Sequence, residues 1–345
     1  MTLETFIQAM PKVELHVHLE GSIRPETLLK LAERHGVDLP AKTVEGLRDW
    51  YTFTDFPHFI EVYLAVSACL RSPEDIELIA REFLAGQAAQ NIRYSEVTYT
   101  AFTHYHLRGL SFGDQLAALN RARAWAEAEH GVTMGLVLDI PRSIPAEKGL
   151  LTADWAIGAM GEGVVALGLG GPEVDNPPEK FKAAFDRAHA AGLPSVPHAG
   201  ETVGPESIWG ALNELHAVRI GHGVRCLEDP ALVDELRARQ IPLEVSPTSN
   251  VCLKVFPDLA RHALPRLLRE GLYVTLNSDD PPMFNTTLTE EYLAVARTFQ
   301  FGADTLEQLT LNAVRASLLP ADTRLTMEQE FQAEFARLRA ADGVI

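Results

Sequence analysis

The sequence predicts an α/β protein built as a (β/α)8 barrel, and three observations carry that expectation. Short apolar, β-branched runs alternate with longer stretches of helical pattern, as parallel strands covered by helices require. Eight such units fit into 345 residues. Histidines and carboxylates sit at the C-terminal ends of several runs, the rim on which such barrels build their sites. Periodicity alone also admits a doubly wound open sheet.

The runs follow in order. Val13–His18 is the first predicted strand, and its end carries two histidines. The segment from about 37 to 71 is long for a plain β–α connection and holds Trp50, Tyr51, Phe53, Phe56 and Phe59. It reads either as a helical lid over the barrel mouth or as aromatics packed in an ordinary helical excursion. Arg93–Thr98 is the second strand, the Ala-rich Asp114–His130 a helix, and Val132–Ile140 the third strand. Gly161-Glu162-Gly163-Val164-Val165-Ala166 formally fits a dinucleotide fingerprint. That motif must follow a strand, whereas here it precedes the apolar run Val164–Leu169, so it reads as a turn into the fourth strand. Phe181–Ala191 has Phe181, Phe185 and His189 at helical spacing and leads to the fifth strand, Leu193–His198. Val218–Gly221 is the sixth. Pro230–Arg239 places Leu232, Val233 and Leu236 on one helix face before Ile241–Val245, the seventh. Leu272–Asn277 is the eighth, and a helical tail is expected over about 303–340. No Gly-, Ser- or Pro-rich linker divides the chain, so one domain over 1–345 is expected.

Composition narrows the function classes. Lys plus Arg is 30 and Asp plus Glu is 47, a net charge of −17, which disfavours nucleic acid or an anionic membrane as partner. Cys69, Cys226 and Cys252 are odd in number and widely spaced, so neither a disulfide framework nor a cysteine metal site is expected. The N-terminus lacks a basic region followed by an apolar one, and no apolar run reaches the ~18 residues of a membrane span. A cytoplasmic protein is expected, and Asn285-Thr286-Thr287 is then a loop rather than a glycosylation site.

Four short motifs carry chemistry. In Glu14-Leu-His16-Val-His18-Leu-Glu20-Gly21 the two histidines share one strand face and suit a common divalent metal. Pro197-His198-Ala199-Gly200-Glu201 places a histidine at a strand end and a glutamate in the adjoining loop. Gly221-His222-Gly223 lets backbone and ligand approach closely. Asn277-Ser278-Asp279-Asp280-Pro281 sets two carboxylates at a strand end, expected to point to opposite sides. Each motif alone has an ordinary structural explanation. Jointly, on one barrel rim, His16, His18, His198 and Asp279 form three imidazoles and a carboxylate. That set suits Zn²⁺ with an open position for water, and leaves Glu201 and His222 for proton transfer. The same ligands also accept iron, cobalt or manganese.

The chain resembles the adenosine deaminase family of the amidohydrolase superfamily. The matching motifs are PKVELHVHLEGS (Pro11–Ser22), GLGGPE (Gly168–Glu173), HAGE (His198–Glu201), IGHG (Ile220–Gly223), SPTSN (Ser246–Asn250) and LNSDDPP (Leu276–Pro282), in family order. The resemblance implies a barrel of the amidohydrolase type with extra helices. It implies one zinc ion per chain on His16, His18, His198 and Asp279, which activates water for attack on C6 of a 6-aminopurine. By it, Glu201 protonates ring N1, and His222 orients the nucleophile and stabilises its charge. Asp280 meets ring N7 and the Gly171 backbone meets N3. Two neighbouring zinc chemistries do not fit. Cytidine-type deaminases need P-C-x-x-C beside H-x-E, and the chain has no C-x-x-C. Binuclear amidohydrolases use a modified lysine at the fourth strand end, where Leu167–Pro172 has none.

Substrate is where the resemblance divides. Many adenosine deaminases carry H-x-H-L-D-G, whose Asp meets the ribose hydroxyls, whereas this chain has Glu20, which would crowd the sugar terminus. Adenine deaminases tend to have a Glu there but carry a G-L-D-S-S-E-like segment, replaced here by Gly170-Gly171-Pro172-Glu173. The departure from both resembles a bacterial branch acting on 6-amino-6-deoxyfutalosine, an adenosine derivative on the futalosine route to menaquinone. Its carboxyphenyl group would pack on Tyr51–Phe59 and pair with a nearby Arg. An adenosine-type nucleoside with its 5′ substituent open ranks first and free adenine second. A homologue that binds nucleoside or metal without turnover would have lost Glu201, His222 or a ligand, and all are present.

Overall fold

A computed structural model describes residues 2–340; Met1 and residues 341–345, the two ends of the predicted 1–345 domain, lie outside the described residues. All eight predicted strands form: β1 Lys12–His18, β2 Ile92–Tyr99, β3 Thr133–Pro141, β4 Val164–Gly170, β5 Ser195–Ala199, β6 Ile220–His222, β7 Leu243–Val245 and β8 Val274–Leu276. They pair in parallel in the order β1-β2-β3-β4-β5-β6-β7-β8. The ring closes just past β8, where the His18 N–H donates to the Asp279 carbonyl at 2.9 Å and the Asp279 N–H to the His16 carbonyl at 3.1 Å. A candidate metal ligand is thus part of the barrel seam. The doubly wound alternative is excluded by this order and closure.

Four strands, β5 to β8, start two residues later than predicted, and three of them share one reason. Leu193, Ile241 and Leu272 are apolar and precede β5, β7 and β8, but each is used to end the preceding helix. Their N–H groups donate to Ala188, Leu236 and Leu267 carbonyls at 3.0, 3.2 and 3.2 Å. The residue before each is left-handed: Gly192, Gln240 and Gly271 at φ 81°, 49° and 71°. This six-to-one closure satisfies helix carbonyls that would otherwise be orphaned. The helix Pro230–Arg239 forms as expected, with Leu232, Val233 and Leu236 buried. The expected face of Phe181–Ala191 needs correction. The α-helix is Lys182–Ala190 after a 3-10 turn at Pro178–Phe181, and its buried side is Phe181, Ala184, Phe185 and Ala188. His189 is exposed and stacks on His216 instead. Gly161 and Gly163, both at positive φ, lie in the turn before β4, so the fingerprint-like run opens no helix.

β1 shows how the barrel positions chemistry. All seven residues are buried. Val13, Leu15 and Val17 join the apolar clusters between sheet and helices, while Lys12, Glu14, His16 and His18 take the alternate face toward the barrel axis. Below the rim the interior is ionic. Arg219 lies between the carboxylates of Glu96 and Glu244, and Glu244 also accepts from His16 Nδ1 at 2.9 Å. A buried ion triad of this kind adds little net stability, but losing one member leaves an unpaired charge.

The segment over 37–71 forms two helices, Val44–Trp50 and Phe56–Ser67. Tyr51, Phe53 and Phe59 are buried and pack with Phe284. Phe56, Ile60, Tyr63 and Leu64 of the second helix face the cavity at the barrel mouth. The aromatics therefore divide between core packing and roofing the mouth. At the C-terminus, helices Ala303–Ala316 and Ala321–Ala340 cover the expected tail, and Phe335 packs on Phe6 of the first helix, Leu3–Ala9. Among the described residues no helix is long and apolar enough to cross a membrane.

One buried carboxyl makes stability pH-dependent. Glu291, in the helix Leu288–Phe299, accepts from the Thr248 N–H at 3.2 Å and the Thr286 hydroxyl at 2.7 Å. Burial outweighs these bonds and raises its pKa from 4.5 to about 7. The folded state therefore holds this proton more tightly than the unfolded one. The contribution is complete below the unfolded value and is lost as pH rises through about 7. Glu291→Gln is expected to unfold at higher denaturant than wild type at pH 8, by about 2–3 kcal/mol. The gap should close near pH 4.5, and a gap independent of pH would refute the assignment.

Candidate active site

His16, His18, His198 and Asp279 converge at the C-terminal rim of β1, β5 and β8, all buried. One donor atom from each lies within 4.8 Å of the others. The closest spacings are 3.1 Å between His18 Nε2 and His198 Nε2, 3.4 Å from His18 Nε2 to Asp279 Oδ1 and 3.5 Å from His16 Nε2 to Asp279 Oδ1. A tetrahedral ion bound at ~2.0–2.1 Å holds its donors about 3.4 Å apart, so this set fits a divalent metal.

Neighbouring groups aim these donors. His198 Nδ1–H donates to the Leu169 carbonyl at 2.9 Å, leaving Nε2 with its lone pair. The Glu244 carboxylate faces His16 Nδ1, and His16 Nε2 has no hydrogen-bond partner among the described residues. Asn277 Oδ1 accepts from the Leu15 and His16 backbone at 2.9 and 3.1 Å and pins the end of β1. Ser249 Oγ donates to Asp279 Oδ2 at 2.6 Å. Gly221 supplies clearance, since a Cβ there would stand 2.8 Å from His16 Cε1.

Electrostatics favour ligand-ready imidazoles and a positive charge at the centre. Burial, reinforced by neighbouring histidines, lowers His198 well below its ordinary value and His18 to about 4, so both present neutral nitrogen. For His16, burial is overcome by the facing carboxylates of Asp279 and Glu244, and its pKa rises to about 10. Against its own burial, the same histidine contacts hold Asp279 ionised.

Glu201 and His222 stand beside this cluster. His222 Nε2 lies 3.7 Å from Glu201 Oε2 and 3.9 Å from Asp279 Oδ2. Burial, together with the charges of Asp279 and Glu173, pushes Glu201 well above the usual carboxyl range. Its Oε1 is buried without a partner among the described residues. Glu173 fixes the loop that carries Glu201 by accepting from the Gly200, Glu201 and Val203 N–H groups at 3.2, 3.0 and 3.1 Å. His222 is held near neutral by burial, its pKa lowered to about 3, and its Nδ1 meets Asn250 Nδ2 at 3.3 Å. His222 and Asp279 have φ of 63° and 66°, a conformation that costs an L-residue energy and recurs at functional sites.

That backbone also corrects the expected divergence of Asp279 and Asp280. Residue 279 is left-handed rather than extended, so strand alternation does not apply, and both carboxylates line one cavity. Gly21 makes room, because any Cβ there would overlap the Asp280 carboxylate. Burial and the Asp279 charge push Asp280 well above the carboxyl range, and its Oδ1 has no partner among the described residues. The cavity also reaches Gly171 and the aromatic helix.

Glu20 sits elsewhere. It is buried behind the wall, outside the cavity lining, where it accepts from the Thr100 N–H at 3.0 Å and the Tyr63 hydroxyl at 3.3 Å and faces His104 Nε2 at 2.9 Å. No arginine lines the cavity among the described residues. Arg48 and Lys254 line a neighbouring groove with Tyr51, Phe53 and Phe284. Sequence reasoning missed Glu244, Asn277, Ser249, Glu173, Tyr63 and Asp139. Glu173 and Asn277 lay inside quoted motifs, while Glu244 and Asp139 had only a polar residue in an apolar run as their signal.

An eight-stranded parallel barrel with this ligand set on its C-terminal rim defines a metal-dependent hydrolase of the amidohydrolase kind. The family model "Adenosine deaminase" matches residues 11–334, and the chain belongs to that family of metal-dependent hydrolytic deaminases. An aminodeoxyfutalosine deaminase of Streptomyces coelicolor is 44% identical over 330 residues, covering 95% of this chain and 85% of that protein. The structure of an adenine deaminase from Arthrobacter aurescens superposes with a TM-score of 0.91 at 35% identity, over 95% of this chain and 100% of that one. An amidohydrolase from Burkholderia ambifaria, solved with bound Zn, gives 0.90 at 28% identity, over 97% and 93%.

Proposed function

We propose that this chain hydrolyses the 6-amino group of a 5′-modified adenosine of the 6-amino-6-deoxyfutalosine type, releasing ammonia and the 6-oxopurine. The observation that carries the reading is the contact of His222 and Glu201 with the four-donor cluster, inside a cavity roofed by Phe56, Phe59 and Ile60. Similarity to the Streptomyces enzyme supports the modified nucleoside.

His16, His18, His198 and Asp279 would hold one zinc ion, in keeping with the zinc-bound relative. Zinc, when bound, makes a water nucleophilic at neutral pH. Glu201, kept protonated by burial, delivers its proton to ring N1 and so makes C6 electrophilic. His222 orients the attacking water and stabilises its developing charge. Asp280, also protonated, donates to ring N7, and the Gly171 backbone meets N3. Glu20 acts through Tyr63, whose hydroxyl it holds while the Tyr63 ring lines the cavity. The aromatic helix excludes water and offers an apolar surface to the substituent beyond the sugar. The reading includes a cytoplasmic location, with neither nucleic acid nor membrane as partner.

Ammonia release by zinc-loaded protein from 6-amino-6-deoxyfutalosine, adenosine and adenine, side by side, tests the assignment. The modified nucleoside is expected to give the highest kcat/KM, and chelation should abolish turnover of all three. Preference for adenine would instead place the chain with the adenine deaminase it resembles.

A further inference from the structure

Asp139 has no role in the chemistry above, yet it is 3% exposed on β3 and lines the same cavity. Its Oδ1 has no hydrogen-bond partner among the described residues. The nearby cation, Arg142, directs its guanidinium to the Asn176 and His198 carbonyls instead. Space for the carboxyl is cleared by two glycines of β4. A Cβ at Gly168 would stand 2.8 Å from Asp139 Oδ1, and one at Gly170 would run into Oδ2. A buried carboxyl without a partner is costly, and a cavity wall is where a ligand can complete it.

The identity of that ligand group follows from donor chemistry, given the nucleoside reading above, on which this inference rests. Asp139 belongs to neither donor cluster at the reacting end. Ring atoms N1, N3 and N7 of a 6-aminopurine are acceptors. Its strong donors are the 6-amino group, which must face the reacting end, and the sugar hydroxyls. Glu20 is engaged by His104, Thr100 and Tyr63, so it is not free to receive them. We propose that Asp139 accepts a hydrogen bond from a sugar hydroxyl of the bound nucleoside and thereby sets the preference for nucleoside over free base.

The test compares zinc-loaded wild type with Asp139→Asn and Asp139→Ala. Two readouts are used: kcat/KM on the preferred nucleoside and on adenine, and calorimetric Kd for inosine and its 2′- and 3′-deoxy forms. Wild type is expected to bind inosine roughly ten-fold or more tightly than at least one deoxy form, with that gap gone in Asp139→Ala and narrowed in Asp139→Asn, whose amide oxygen still accepts. Nucleoside kcat/KM should fall roughly 10- to 100-fold, with adenine changed far less. A gap that persists in Asp139→Ala, or an equal loss on adenine, overturns the inference while leaving the deaminase reading intact. A wild type that prefers adenine overturns the nucleoside reading and this role with it, since adenine offers N9–H in place of a sugar.

Discussion

Glu201→Gln is expected to lower ammonia release by about 10²–10⁴-fold while the protein keeps its metal and its fold. Glutamine has the same size and can occupy the same buried position, but it cannot give a carboxyl proton to ring N1. The loop that carries residue 201 is fixed through backbone N–H groups on Glu173, so the substitution leaves its support in place. Glu201 is also no member of the His16–His18–His198–Asp279 set, so metal content should be unaltered. Turnover, metal analysis and a thermal melt on one preparation separate these effects. Turnover within a few-fold of wild type would remove Glu201 from the proton-transfer role. Loss of metal alongside activity would mean that Glu201 belongs to the metal's surroundings instead.

The second large effect is expected at Asp279, and the backbone decides which substitution is informative. At φ 66°, alanine adds a conformational penalty of about 1–2 kcal/mol to the loss of the carboxylate, whereas asparagine tolerates the left-handed region. Asp279→Asn also keeps the shape that Ser249 and the barrel seam pack around. It removes the negative charge that faces both His16 and His18. Metal affinity should fall by well over ~100-fold, beyond what losing a supporting contact typically costs, and activity should fall with it. Added zinc should restore part of the turnover. A variant that binds zinc as tightly as wild type would show that residue 279 is no ligand.

Legibility from the sequence differed by element, for identifiable reasons. β1 was readable nearly to its last residue because its polar and apolar positions alternate with period two and its chemistry lies on one face. The starts of β5, β7 and β8 were not. Leu193, Ile241 and Leu272 are as apolar as strand residues, and only the position of the preceding helix shows that they close it. Asp279 and Asp280 were found as a pair, but their common direction depends on one left-handed residue, which local sequence does not reveal.

By itself the sequence determined the (β/α)8 alternation, the family motifs and the residues that gather at the rim. Those properties are local: periodicity, a histidine pair two residues apart, a carboxylate next to a glycine. What only the tertiary structure decided is how each residue is used. Glu20 turned out to be satisfied from inside the wall, whereas Asp139, itself unremarked in the third predicted strand, faces the cavity with its Oδ1 unpartnered among the described residues. The reason is physical. Whether a buried carboxyl is free to meet a ligand depends on donors brought in by other strands and helices, such as His104, Thr100 and Tyr63, and on the space that Gly168 and Gly170 leave. None of that is encoded in the residue or its immediate neighbours.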